Sequence, residues 1–179
     1  MDALIRMKDY SPMKLSLSKL VAQMWQLTAE EVALSLAETW DETELNEHYT
    51  FDVTPALFKF KDIKDNPIWQ NFPGEREYNS ISMGPLQRYR RLYVTTENDA
   101  ETLMQTRACA VLIIKVAQAT HGKISEDHGE SWQTIVEFQH KYQALIAASR
   151  YDVQRFSAIE GTTLGFDSTS SSLAKYLLY

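Results

Sequence analysis

The segment "HGKISEDHGESW", residues 121–132, contains the densest group of side chains that could do chemistry. His128 lies between carboxylates at Glu126 and Glu130, and an imidazole beside a carboxylate can act as a general acid or base near neutral pH. Ser131 adds a hydroxyl group. One hypothesis is therefore a small enzyme or ligand-binding domain that uses residues 121–132, with His128, Glu126 and Glu130 as its candidate catalytic residues.

No complete catalytic or metal-binding motif occurs in this segment. The sequence "GESWQ" lacks the last glycine of the nucleophile elbow G-x-S-x-G. His121, Glu126, Asp127 and His128 do not have the ligand spacing of known zinc sites. We therefore assign no catalytic residue and predict that the protein binds no metal ion and no cofactor.

The same residues also fit a purely structural interpretation. Residues 121–122, His-Gly, resemble a helix stop with glycine in the left-handed conformation. Residues 123–125 fit a short strand, and residues 127–129, Asp-His-Gly, fit a tight turn with a positive φ at glycine. Ser131 is then the N-cap of the next helix. Each unusual residue has a structural role in this interpretation.

Two helices are predicted to flank this segment. The first spans 97–120, with Thr96 as its N-cap and acidic residues in its first turn. Residues 108–117 within it are apolar except for Lys115, which indicates a central element buried on more than one side. Their β-branched side chains also suit a strand, so both assignments stay open for 108–117. The second helix spans 131–149.

The rest of the chain supplies more helices and a sheet. Residues 12–45 are predicted to be helical, and Thr28 with Glu31 forms a capping box there. Alternation of apolar and polar residues predicts strands at 49–61 and 86–95. Prolines and glycines between 66 and 85 indicate an irregular loop.

These elements predict the fold class. The chain has 179 residues, about the size of one domain. We expect a single compact α+β domain, residues 1–179, with helices at both ends around a small, mainly antiparallel sheet.

The distribution of charge indicates a different kind of function. The net charge is −6, and residues 28–52 contain eight acidic side chains but no lysine or arginine. Val32, Leu36 and Trp40 take the inward positions of a helix, which turns the carboxylates outward. A surface of one sign steers and orients a partner of opposite sign. We therefore predict that a basic protein partner binds these residues: Glu30, Glu31, Glu38, Asp41, Glu42, Glu44 and Glu47.

The segment "QRYRRLY" supports a third hypothesis, association with nucleic acid. It interleaves Arg88, Arg90 and Arg91 with tyrosines, as proteins that bind single strands do. In a strand, however, Arg88 and Arg90 lie on one face and Arg91 on the other, and the acidic net charge opposes a polyanion. Nucleic acid is therefore the less favoured partner.

In size and composition the chain is similar to the immunity proteins with which bacteria neutralise secreted toxins, although it shares no motif with them. This similarity implies an acidic bacterial protein that inhibits a toxin by binding it. The longest apolar run, residues 108–114, is shorter than a membrane span, and the first residues do not resemble a secretory signal. We expect a cytoplasmic protein with no membrane partner.

The last residues of the sequence are unusually apolar for a free tail. They include Leu173, Tyr176, Leu177 and Tyr179. We expect this segment to pack on the domain or to form a homo-oligomer with a second subunit.

Overall fold

The structure, a computed structural model, describes residues 1–36, 41–55, 65, 67, 80–86, 90–96 and 102–163, with side chains up to 157. The described strands are β1 Ala3–Arg6, β2 Phe51–Val53, β3 Ile81–Leu86, β4 Arg91–Thr96 and β5 Lys123–Ser125. The described helices are α1 Leu17–Trp25, α2 Ala29–Ser35, α3 Glu42–Asn46, α4 Leu103–Ala119, α5 Ile135–Ala147 and α6 Arg150–Thr163.

The five strands form one antiparallel sheet in the order β2-β3-β4-β1-β5. Alternate residues point to opposite faces, so Ile5 of β1, Leu92 of β4 and Ile124 of β5 lie in one row and are fully buried. This row packs against α4. The predicted α+β class with a mainly antiparallel sheet is confirmed.

Helix α4 lies at the centre of the molecule. It contacts the sheet on one side and α1, α5 and α6 on the other, and nearly all of its side chains are buried. The open assignment of residues 108–117 is thereby settled as helix. The predicted start was wrong: Thr96 belongs to β4, and the N-cap is Thr102, whose hydroxyl accepts a hydrogen bond from the Gln105 amide.

The helix after the 121–132 segment also begins later than predicted. Thr134, not Ser131, is the N-cap of α5, and α5 ends at Ala147 rather than at 149. Phe138 and Leu145 of α5 are buried against the core. Ser149 instead accepts a hydrogen bond from the Asp152 amide at the start of α6.

The predicted helical region 12–45 is divided into three helices. The capping box of Thr28 and Glu31 is present at the start of α2, as expected, but α2 already ends at Ser35. Glu38 and Trp40 lie outside the described residues. Strand β1, which precedes this region, was not predicted, although it lies between β4 and β5 in the sheet.

The two predicted strands are shorter than expected or differently placed. Within 49–61 the described strand is β2, where Phe51 and Val53 are buried and Asp52 is exposed. Residues 81–86 form β3 and not an irregular loop. The predicted strand 86–95 was therefore wrong at its start: Leu86 ends β3, Arg90 lies in a turn with φ +54°, and β4 begins at Arg91.

Gly122, which follows α4, lies too close to β1 for a larger side chain. The residue with positive φ is His121, at +50°, and not the glycine, which corrects the predicted helix stop. A Cβ atom on Gly122 would lie 2.9 Å from the Ile5 side chain and 3.1 Å from the Arg6 carbonyl oxygen. The glycine therefore lets the chain pass close to β1 before β5 begins.

Candidate functional site

Helix α3 carries most of the predicted partner-binding residues and is held firmly in place. Asp41 accepts a hydrogen bond from the Thr43 amide at 2.9 Å, which caps the helix and lowers the pKa of the Asp41 carboxyl. Leu45 is only 1% exposed. The Asn46 side chain donates to the Leu15 carbonyl and accepts from the Leu15 amide, each at 2.9 Å. These contacts fix the orientation of α3.

The carboxylates of α3 do not all have the same role. Glu42 accepts a hydrogen bond from the Leu17 amide at 2.9 Å, at the N-terminus of α1 where the helix dipole favours a negative charge. Glu44 and Glu47 are exposed, and neither forms an ion pair with any described residue. We call Asp41, Glu42, Glu44 and Glu47 the α3 acidic surface. Glu44 and Glu47 are the members free to meet a partner.

Glu31 is neutralised within the fold by a cation from outside residues 28–52. Arg150 of α6 donates to its carboxylate at 2.7 Å, and both side chains are largely buried. Burial raises the pKa of Glu31, but hydrogen bonds from Arg150 and Thr28 outweigh that effect and leave the pKa below its usual value. Glu31 is therefore a structural residue.

The structure separates the predicted acidic residues into two groups. Glu30 is exposed on α2, and beside it Arg150 joins Glu31 to the Gln26 carbonyl at the C-terminal end of α1. The α3 acidic surface lies at the N-terminal end of α1, where Glu42 accepts a hydrogen bond from the Leu17 amide. A helix of nine residues is about 13 Å long, so the groups are distinct.

Glu126, a candidate catalytic residue, is engaged in structural contacts. Its carboxylate accepts hydrogen bonds from Gln133 at 2.7 Å, Lys141 at 2.8 Å and Tyr142 at 2.5 Å. Burial raises the pKa of Glu126, yet these donors outweigh it and lower the pKa below its usual value. An ionised carboxylate that accepts three hydrogen bonds is a poor proton donor. The contacts of Glu126 instead attach the turn to α5.

Asp127 organises the turn. It accepts hydrogen bonds from the Ser125 hydroxyl at 2.6 Å and from the amide and hydroxyl of Ser131. The Ser125 and Ser131 hydrogen bonds hold the pKa of Asp127 far below its usual value. The positive φ predicted for Gly129 is confirmed at +96°, and His128 also has a positive φ, +57°.

His128 and Glu130, the other two candidates, do not complete a catalytic arrangement. Both are exposed, and their side chains form no hydrogen bond or ion pair with the described residues. Ser131 is bound to Asp127, not to an imidazole. Across the described ranges, no three His, Cys, Asp or Glu side chains are grouped as metal ligands.

Trp132 contacts two arginines on the outer face of the sheet. The guanidinium carbons of Arg6 and Arg91 lie 4.6 Å and 5.1 Å from its ring centroid. These cation–π contacts attach the turn to β1 and β4. The sequence alone does not indicate these contacts, because the three residues are far apart in the chain. A tryptophan engaged in this way is not an open platform for a nucleic-acid base.

The arginines predicted for nucleic-acid binding are not arranged as the strand hypothesis required. Arg90 lies in the turn after β3 and stacks on Tyr10, with 4.9 Å between its guanidinium carbon and the ring centroid. Arg91 faces Trp132, and Arg88 lies outside the described residues. Arg90 and Arg91 thus contact different aromatic side chains, and association with nucleic acid stays a prediction.

Comparison with protein-family models, with curated proteins and with solved structures found no match. Within the described residues, no helix has both the length and the apolar character needed to span a membrane.

Proposed function

We propose that the chain is a protein-interaction domain that binds a basic protein partner through the α3 acidic surface. The observation that carries this proposal is the exposure of Glu44 and Glu47, which have no cation partner among the described residues, on a helix fixed by Leu45 and Asn46. A helix backbone that is already fixed loses little conformational freedom when a partner binds, so more of the attraction appears as affinity.

Helix stability does not explain this distribution of charge. Oppositely charged side chains four residues apart would stabilise a helix by about 0.2–0.5 kcal/mol per pair. The sequence instead keeps lysine and arginine out of residues 28–52. An unneutralised acidic surface speeds the approach of a basic partner and disfavours an acidic one.

The finer proposal is that this basic partner is a bacterial toxin and that the chain is an immunity-type inhibitor acting in the cytoplasm. It rests on the similarity in size and composition to immunity proteins. Cells that express the partner alone should then stop growing, and co-expression of the wild-type chain should restore growth. Normal growth with the partner alone would contradict the toxin proposal while leaving the interaction proposal standing.

The test of the interaction proposal is affinity capture with three versions of the protein. The wild type is compared with the double variant Glu44→Lys/Glu47→Lys, which reverses the two carboxylates of the α3 acidic surface that cap no helix. The matched control is Asp65→Lys/Glu130→Lys, which reverses two exposed carboxylates elsewhere and changes the net charge equally. Asp41 and Glu42 are left intact because they cap helices.

We expect a basic protein to be retained by the wild type and by the control and to be lost from the α3 variant. Circular dichroism of the three proteins should be the same, since the reversed side chains are exposed and form no hydrogen bond or ion pair among the described residues. The same proteins captured on all three, or none on any, would contradict the proposal.

A further inference from the structure

A groove of about 690 Å³ runs along α4 between α1 and α5. Val111 and Ile114 of α4 form its floor, and Ile146 of α5 forms part of one wall. Five glutamines contribute the remaining polar surface. A groove of this size with mainly apolar walls and a few polar groups has the character of a small-molecule site.

The charged residues that line the groove are both cations. Arg107, which is 6% exposed, donates to the carbonyl oxygens of Gln23 at 3.1 Å, Met24 at 2.7 Å and Ile146 at 3.3 Å. Its Nε is buried and has no acceptor among the described residues. The guanidinium thus binds the last carbonyls of α1 and α5 but has no carboxylate partner in the described part of the chain.

Lys115 is the second cation and the more accessible one. It interrupts the apolar run at 108–117, is half-buried, and forms no ion pair with a described residue. No aspartate or glutamate lines the groove, although the whole chain carries a net charge of −6. The groove is therefore a positive region with apolar walls in an acidic protein.

We propose that the groove between α1, α4 and α5 binds a small amphipathic carboxylate, that is, a molecule with an apolar body and one anionic head group. The body packs against Val111, Ile114 and Ile146, where burial of apolar surface favours binding. The carboxylate meets Lys115, the more accessible of the two cations, since charges interact more strongly away from bulk water. This site uses none of the residues of the α3 acidic surface.

Calorimetric titration with three ligands that share one alkyl chain tests the proposal: decanoate, decanol and decylammonium. We expect decanoate to bind at one site per chain and about tenfold more tightly than decylammonium, the difference made by one favourable charge contact. Decanol should fall between them. No binding of decanoate, or equal affinities for decanoate and decylammonium, would overturn the proposal.

A pair of variants locates the site. Lys115→Gln should weaken decanoate binding several-fold and leave decanol binding unchanged, because only the anionic head group loses a contact. Lys19→Gln removes an exposed lysine of α1 as the matched control and should change neither affinity. Unchanged decanoate binding in Lys115→Gln, or an equal loss in both variants, would show that the carboxylate does not bind in this groove.

Discussion

At the scale of single residues, the acidic side chains divide into those that hold the fold and those that face solvent. Glu126 and Glu31 each have a cation and further donors within hydrogen-bond distance. Glu44, Glu47 and Glu130 are exposed and have none among the described residues. A carboxylate with several donors stabilises the fold, whereas an exposed one is available to a partner.

Glu126→Gln should lower the free energy of unfolding. The variant loses the charge that attracts Lys141 and that strengthens the hydrogen bonds from Tyr142 and Gln133. We expect a loss of about 1–3 kcal/mol, the usual range for hydrogen bonds to a charged group. Urea denaturation measures it, with Glu130→Gln as the matched control that should keep wild-type stability. Equal stability of the two variants would contradict the structural role of Glu126.

The stabilisation by Glu126 should depend on pH in a defined direction. The pKa of Glu126 in the folded protein is lower than the value of about 4.3 in an unfolded chain. The cause is the hydrogen bonds to its carboxylate, which outweigh the effect of burial. The contribution is therefore complete above about pH 4.3 and is lost as pH falls through the folded pKa. The difference in unfolding free energy between wild type and Glu126→Gln should therefore be smaller at about pH 3 than at about pH 7. A difference that widens in acid would contradict this assignment.

Some residue roles could be predicted from the sequence because they depend on near neighbours. The turn at 127–129 and the capping box at Thr28 are examples. The pairing of Glu31 with Arg150 joins positions 119 residues apart, so no local pattern could indicate it. For the same reason the contacts of Arg6 and Arg91 with Trp132 became evident only in the structure.

At the scale of elements, three of the described helices, α2, α4 and α5, begin with a complete capping box. In α4 and α5 a threonine is followed three residues later by Gln105 or Glu137. The predicted caps, Thr96 and Ser131, lack such a partner in the sequence. The capping box, which correctly predicted the start of α2, is thus also the signal in the sequence that marks the starts of α4 and α5.

Gly122→Ala should destabilise the connection between α4 and β5. The added methyl group would lie 2.9 Å from the Ile5 side chain, so the packing of β1 must shift, at a cost of about 1–3 kcal/mol. Gly84→Ala in β3 is the matched control, since no atom lies within 4 Å of its added methyl, and should change stability by less than about 0.5 kcal/mol. Thermal denaturation of both variants measures this. Equal melting temperatures would be inconsistent with the close approach.

At the scale of the whole molecule, the sequence predicted the fold class but not the order of the strands. Strand β1 has only four residues, too few for a clear alternation, yet it pairs with both β4 and β5. Its position depends on contacts between segments that are distant in the chain. The groove along α4 also forms only when three helices pack together, although Lys115 in an apolar helix was a visible sign of it.

The arrangement of charge over the whole molecule is the basis of the proposed function. Arg6, Arg91 and Lys123 lie side by side on β1, β4 and β5, whereas α3 presents carboxylates. The molecule therefore has regions of opposite sign despite its net charge of −6. A basic partner should be directed to α3 and away from the sheet face.

The most direct test of this proposal is the rate at which the captured partner associates with the protein, measured at several ionic strengths. For the wild type and for Asp65→Lys/Glu130→Lys, we expect fast association that slows steeply as salt is added, because salt screens the attraction. Glu44→Lys/Glu47→Lys should associate more slowly and with a weaker dependence on salt. The same rate and the same salt dependence in all three proteins would contradict the claim that the α3 acidic surface binds the partner.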